Sequence, residues 1–132
     1  MRPDQLQRKA IVDAGGLAVA SLKSGVDDTL VDWAKANGLF LYVGRAVPRR
    51  GLQGSPLANP FRIGPYSREE SIELYRHWIR LQPSLLGLIA TLAPRLLCCW
   101  CYPLACHGEV IVEEAERLAI RLSRIAETQA NT

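Results

Sequence analysis

The sequence predicts a small α/β domain, Rossmann-like, with a short parallel sheet and flanking helices in a three-layer or two-layer arrangement. Three observations lead there. Residues 39–43 and 96–101 are compact apolar runs that read as strands. The segments between and after them carry helical spacing, giving the order strand, loop, helices, strand, loop, helix. That βαβα order favours a parallel pair joined by a right-handed crossover. Finally, 132 residues that are 48% apolar and 22% charged fit one domain with a core of its own.

Taken in order, residues 1–39 read as a helical N-terminal extension. Leu6, Ile11, Val12 and Ala14 have loose helical spacing, interrupted by Gly15-Gly16. Residues 17–22 fit a short helix or a strand equally, because a brief apolar run has no decisive period. Asp27 or Asp28 can cap a helix through Leu30, Val31 and Trp33, with Gly38 as its stop. The α/β domain proper is expected over residues 40–126. After the first strand, residues 44–66 form a long Gly-, Pro- and Arg-rich connection of the kind that is functional or mobile. Ser67-Arg68-Glu69-Glu70 is a capping box opening a helix whose buried face holds Ile72, Tyr75 and Ile79, with His77 off the stripe. A short helix over residues 83–93 ends at Pro94. The second strand then leads to a long helix from about His107 to Ile125, with Ile111, Ala115, Leu118, Leu122 and Ile125 at heptad-like spacing. Residues 127–132 read as a flexible tail.

The net charge of +3 is mild and comes mostly from mid-chain arginines, which permits a phosphate-bearing partner without demanding one. The first ten residues are polar and unlike a signal peptide, and no apolar run is long enough to span a bilayer. A cytoplasmic protein with reduced thiols and no membrane association is therefore expected. All four cysteines lie within nine residues, so they cannot staple distant parts of the fold.

Those cysteines mark the place to look. The run from Cys98 to His107 holds all four together with one of only two histidines, at the junction of a strand and a helix. On an extended strand Cys99 and Cys101 share one face, and Cys98 and Trp100 the other. Two chemistries fit. Cys99, Cys101, Cys106 and His107 have the ligand types of a four-coordinate zinc site, although the spacing is poor for a zinc ribbon. Alternatively, Cys101, Cys106 and His107 supply a nucleophile and an acid/base group, since a thiol at a helix N-terminus is favoured as thiolate. Cys98 reads as a core residue, as do Trp33, Trp78 and Trp100.

In the long connection, Asn59 before Pro60-Phe61 can close an Asx turn and also bond a ligand. Arg45, Arg49, Arg50 and Arg62 offer planar donor forks suited to carboxylate or phosphate. Parallel strands end at one sheet edge, so Arg45, the Asn59 loop and the 101–107 loop are expected to converge on one pocket. No Walker or G-x-G-x-x-G phosphate loop is present.

Four stretches together, Tyr42-Val43-Gly44-Arg45, Ser55-Pro56-Leu57-Ala58-Asn59-Pro60-Phe61, Ser67-Arg68-Glu69-Glu70-Ser71-Ile72 and the segment from Cys99 to Glu109, resemble the domain of unknown function 4326 family of bacteria and phages. The likeness covers about residues 40–118. Ala58 stands where that family often has Gly, and Glu109 where Asp or Ala is frequent. The resemblance implies a compact α/β domain with the Asn-Pro-Phe and Cys-Trp-Cys…Cys-His motifs facing one pocket. It implies no activity.

The expected function is binding, with or without chemical processing, of a nucleotide-like or other anionic small ligand. Arg45, Asn59, Phe61 and Arg62 would hold it, beside Cys101, Cys106 and His107. The alternative is a non-enzymatic, zinc-stabilised interaction module of phage or plasmid origin, with a host protein or nucleic acid as partner. A homodimer is a further expectation, because two strands leave a sheet incomplete. Asn59→Ala and His107→Ala are expected to abolish binding at little cost in stability.

Overall fold

Alternating apolar residues organise the molecule around three short parallel strands. The computed structural model describes residues 1–131, which form, in chain order, α1 (Pro3–Asp13), β1 (Leu17–Ser21), α2 (Asp28–Ala36), β2 (Phe40–Tyr42), α3 (Arg68–Ile79), α4 (Pro83–Ile89), β3 (Arg95–Cys99) and α5 (His107–Ala130), with a 3₁₀ turn at Pro48–Arg50. The sheet order is β1-β3-β2, every pairing parallel. Ser21 lies opposite Cys99 and Tyr42 opposite Cys98, so the three carboxyl ends finish almost level.

The two-residue period of a strand sends neighbours to opposite faces. Leu17, Val19, Leu97 and Cys99 meet Tyr75 and Ile79 of α3, Ile89 of α4, and Val110 and Ile111 of α5. Ala18, Ala20, Leu96 and Cys98 meet Val12 of α1 and Leu30, Val31 and Ala34 of α2. The domain is thus a three-layer α/β/α sandwich with two helices on one face and three on the other.

The expectation that residues 1–39 form a helical extension outside the α/β domain is corrected here, and the open choice at residues 17–22 falls to the strand. Leu17–Ser21 is a strand, wholly buried and hydrogen-bonded along β3, and α1 and α2 cover one face of the sheet. A strand buried on both faces loses its alternation, which is why its sequence does not declare its period. Two smaller boundaries also move. β3 ends at Cys99, not Cys101, and the final helix continues through Ala130, so residues 127–130 of the expected tail are helical. Thr132 lies outside the described residues. Along α5 the apolar stripe is buried only near its start: Leu122 and Ile125 are 58% and 48% exposed.

Two buried ion-pair clusters fix the layers. Glu114 of α5, fully buried, accepts from Arg80 at 2.8 Å and from Arg117 at 2.8 Å, joining the end of α3 to α5. Asp27, also fully buried, receives a two-pronged bond from Arg8 of α1 at 2.8 and 2.9 Å and the Ser21 backbone N–H at 2.9 Å. Asp27 stands at the N-cap of α2, yet its carboxylate makes no capping bond, because it is committed to Arg8 and β1. The Arg8 guanidinium in turn lies over the Tyr102 ring, 4.8 Å from its centroid, so α1 buttresses the loop that follows β3.

Candidate functional site at the carboxyl edge of the sheet

The level ending of β2 and β3 sends residues 43–66 and 100–106 out over the same edge, where ligands bind in open α/β sheets. The long connection is not loose. Asn59 Oδ1 accepts the Phe61 N–H at 2.9 Å, closing the Asx turn expected from its sequence. Its Nδ2 donates to Ser71 Oγ at 2.9 Å, and Ser71 Oγ donates to the Phe61 carbonyl. Tyr75 Oη donates to the Leu57 carbonyl at 2.8 Å, tying the loop to α3 a second time. At its start, Tyr42 Oη donates to the Arg45 carbonyl and accepts from Trp100 Nε1 at 3.0 Å. This folding-back requires Gly44, since a Cβ there would sit 2.5 Å from Tyr42 Oη.

On the other side the capping box is formed as expected, with Ser67 and Glu70 exchanging bonds at 3.0 and 3.1 Å. Arg68 follows it at the first position of α3 and donates to the Ala105 carbonyl at 3.2 Å, holding the loop before α5. Cys106 is the N-cap of α5, its Sγ accepting the Gly108 N–H at 3.4 Å. Gly108 brings that helix end close to β1, where an added Cβ would meet Val19 Cγ1 at 3.1 Å.

Between these walls lies a cleft of about 280 Å³. Arg45, Asn59, Phe61, Cys99, Cys101, Cys106 and His107 all line it, so residues from loops some forty positions apart in sequence meet as expected. Arg62 does not: it is exposed and outside the lining, though its charge, after burial, helps hold the Arg45 pKa below its ordinary value. Arg45 donates to the Asn59 carbonyl at 2.5 Å. The lining contains Arg45 and Arg68 and no carboxylate.

The sulfur atoms are arranged by the strand's alternation. Cys98 faces α2 on the far side of the sheet, where burial pushes its thiol up to about 12. Cys99 and Cys106 are 1% and 2% exposed, with their Sγ atoms 2.9 Å apart. Cys101, beyond the strand, is only half-buried. Hydrogen bonding from Cys106 and Cys99 draws its pKa well below the ordinary thiol value, helped by Arg68 against the opposing effect of burial. The same contacts with Cys101 keep Cys99 and Cys106 protonated. The most readily ionised thiol of the three is therefore the one nearest solvent and an arginine.

His107 is 7% exposed, edge-on to the Tyr75 ring at 5.2 Å. Its Nε2 lies 2.7 Å from the Val43 carbonyl. A carbonyl only accepts, so Nε2 carries the proton and Nδ1, 3.9 Å from Cys106 Sγ, is the bare nitrogen of the neutral ring. Burial holds the imidazole pKa below its ordinary value despite the Val43 bond. Fixing one ring nitrogen on a backbone carbonyl is also how metal-ligating histidines are oriented. Among the described residues, however, no group of three or more His, Cys, Asp or Glu side chains is placed to hold a metal ion, and the set Cys99, Cys101, Cys106 and His107 is not one.

Sequence reasoning misses several lining residues, among them Trp100, Tyr42, Ser71 and Arg68. Trp100, expected in the core, is half-buried in the lining, with Arg50 stacked 4.8 Å from its ring. Tyr42 and Ser71 shape the walls through the bonds above. Arg68 had appeared only as part of a helix start, yet its position was a signal: a cation at the first turn opposes the helix dipole, so its place calls for another partner. Asn59 and His107 carry structural hydrogen bonds, which revises the expectation that either can be truncated at little cost.

A three-layer α/β domain with a cationic, thiol-lined cleft at the carboxyl ends of its strands is the class defined by this geometry. Residues 32–117 match the model of the domain of unknown function 4326 family (DUF4326), and the chain belongs to that family. The match begins inside α2, ahead of residue 40 where the resemblance starts. No curated protein and no solved structure matches the chain. No helix among the described residues is long and apolar enough to cross a membrane.

Proposed function

We propose that the cleft binds a small anionic ligand of nucleotide-like chemistry, with Arg45 and Arg68 receiving the anionic group and Phe61 and Trp100 flanking a ring. One observation carries this reading: two arginines and the start of a 24-residue helix face a cleft with no carboxylate in its lining. Guanidinium forks and helix N-termini both favour phosphate and carboxylate groups. The volume of about 280 Å³ falls just below the usual range of ligand sites, about 300 to 1,000 Å³, and so favours a mononucleotide or smaller over a dinucleotide. Cys101, the accessible thiol in the lining, is the group best placed to react with a bound molecule. A cytoplasmic setting suits the four free cysteines.

The test is calorimetric titration of the full chain with a nucleoside monophosphate, the matching uncharged nucleoside and inorganic phosphate. Saturable binding of the monophosphate, weakened about tenfold or more by Arg68→Gln and by added salt, supports the reading. No heat from any of the three at millimolar concentration, or binding unaffected by both Arg45→Gln and Arg68→Gln, refutes it.

A further inference from the structure

We propose that Cys99 and Cys106 are a redox-active dithiol that closes to a disulfide by exchange with a low-molecular-weight disulfide, with Cys101 making the first attack. The inference goes beyond anion binding and does not depend on it.

The argument starts from the Sγ–Sγ separation of 2.9 Å. Non-bonded heavy atoms rest about 3.5–4.0 Å apart, and sulfur is among the larger of them, so the two thiols are pressed together. Their backbones are set by different elements: Cys99 is the last residue of β3, in the centre of the sheet, and Cys106 is the N-cap of α5. Core packing holds both, so the approach of the two sulfurs is set by the fold. Cys99 and Cys106 border the cleft but are only 1% and 2% exposed, which leaves a solution oxidant little of either sulfur to reach. Cys101 offers more, being half-buried in the cleft lining that it shares with Cys99 and Cys106. It is also the most readily ionised of the three, and thiolate is the attacking form.

The exchange balances in three displacements. Cys101 thiolate attacks one sulfur of R–S–S–R, forming a mixed disulfide and releasing RS⁻. Cys106 attacks the Cys101 sulfur, forming a Cys101–Cys106 bond and releasing the second RS⁻. Cys99 attacks the Cys106 sulfur, leaving Cys99–Cys106 and restoring Cys101 thiolate. The two protons of the buried thiols pass to the two RS⁻ ions. The protein dithiol is oxidised and R–S–S–R is reduced to two RSH.

The probe is 2-hydroxyethyl disulfide, uncharged so that failure of the anion site leaves the result readable. The fully reduced chain is incubated with it anaerobically and examined by intact mass, then by chymotryptic mapping with fragment spectra, because cleavage after Trp100 and Leu104 separates Cys99, Cys101 and Cys106. The expected product has lost two hydrogens and carries a Cys99–Cys106 cross-link. Cys101→Ser should slow its formation about tenfold or more, whereas Cys98→Ser, on the opposite face of the sheet, should leave the rate unchanged. In Cys99→Ala/Cys106→Ser the mixed disulfide should accumulate on Cys101. If that variant does not fold, iodoacetamide competition in the native chain replaces it, with Cys101 expected to alkylate first. A final cross-link through Cys98 or Cys101, an unchanged rate in Cys101→Ser, or slower alkylation of Cys101 than of Cys99 and Cys106 overturns the proposal. So does a native mass showing a metal ion on these thiols, or four free thiols after a small reference dithiol is fully oxidised.

Discussion

Replacing Asp27 by Ala should be among the costliest single changes in this protein, because of what the carboxylate leaves behind. Asp27 is fully buried and satisfies both prongs of Arg8 together with the Ser21 N–H. Without it, the Arg8 guanidinium, 8% exposed, keeps the Asp4 carboxylate at 2.8 Å, the Asp4 carbonyl at 3.3 Å, the Val19 carbonyl at 3.0 Å and the Tyr102 face. Breaking a buried pair costs about 3–5 kcal/mol, and the surviving Asp4 contact argues for the lower end. Orphaning a buried backbone donor adds about 1 kcal/mol. The total of about 4 kcal/mol corresponds, at roughly 4 °C per kcal/mol for a chain of this size, to a fall in Tm of about 15 °C. Urea denaturation followed by circular dichroism measures it. Arg8→Met/Asp27→Leu removes the charge problem but not the Ser21 orphan, so it should lose only about 1–2 kcal/mol. A single-variant loss below about 1 kcal/mol, or a double variant as unstable as the single, refutes the reasoning. Acid gives a second reading of the same pair. Burial acts to raise the Asp27 pKa, but the Arg8 and Ser21 bonds outweigh it and the folded value lies below the ordinary one. Its contribution is therefore present above the unfolded pKa of about 3.9 and lost as pH falls through the folded value.

His107 and Gly44 give two further expectations. The folded imidazole has a lowered pKa, so the unfolded chain takes up its proton first and stability should fall as pH drops below about 6.5. His107→Gln should flatten that part of a urea-midpoint-against-pH profile, and an unchanged slope would contradict a buried neutral ring. Gly44→Ala should displace Tyr42 from Trp100, costing about 1–3 kcal/mol of overpacking. A shift in tryptophan emission should accompany the lower Tm, and wild-type values for both would show that the turn has room.

The residues legible from sequence alone were those whose signal is local. Ser67 and Glu70 satisfy each other within one turn of helix, and Asn59 closes its turn two residues ahead, so spacing is enough to read both. The alternation of Cys98 and Cys99 across the sheet likewise needs only the period of a strand. β1 was not legible, because Leu17–Ser21 is buried on both faces and carries no periodic pattern. Arg68 and Arg62 exchanged importance for a related reason: the path of the long loop decides which arginine reaches the cleft, and that path depends on Ser71 and Tyr75 of α3.

By itself the sequence determined the α/β class, the convergence of two distant loops on one edge, and the helix start at Cys106, since each follows from periods of two and 3.6 and from the order of elements. Only the tertiary structure decided that the amino-terminal segment adds a strand to the sheet. It also decided that Arg8 and Asp27 brace the Tyr102 loop, and that Cys99 and Cys106 are pressed together while Cys101 faces the cleft. Those facts depend on how layers stack and where buried charges find partners, and such distances between remote residues are set by packing, not by spacing along the chain.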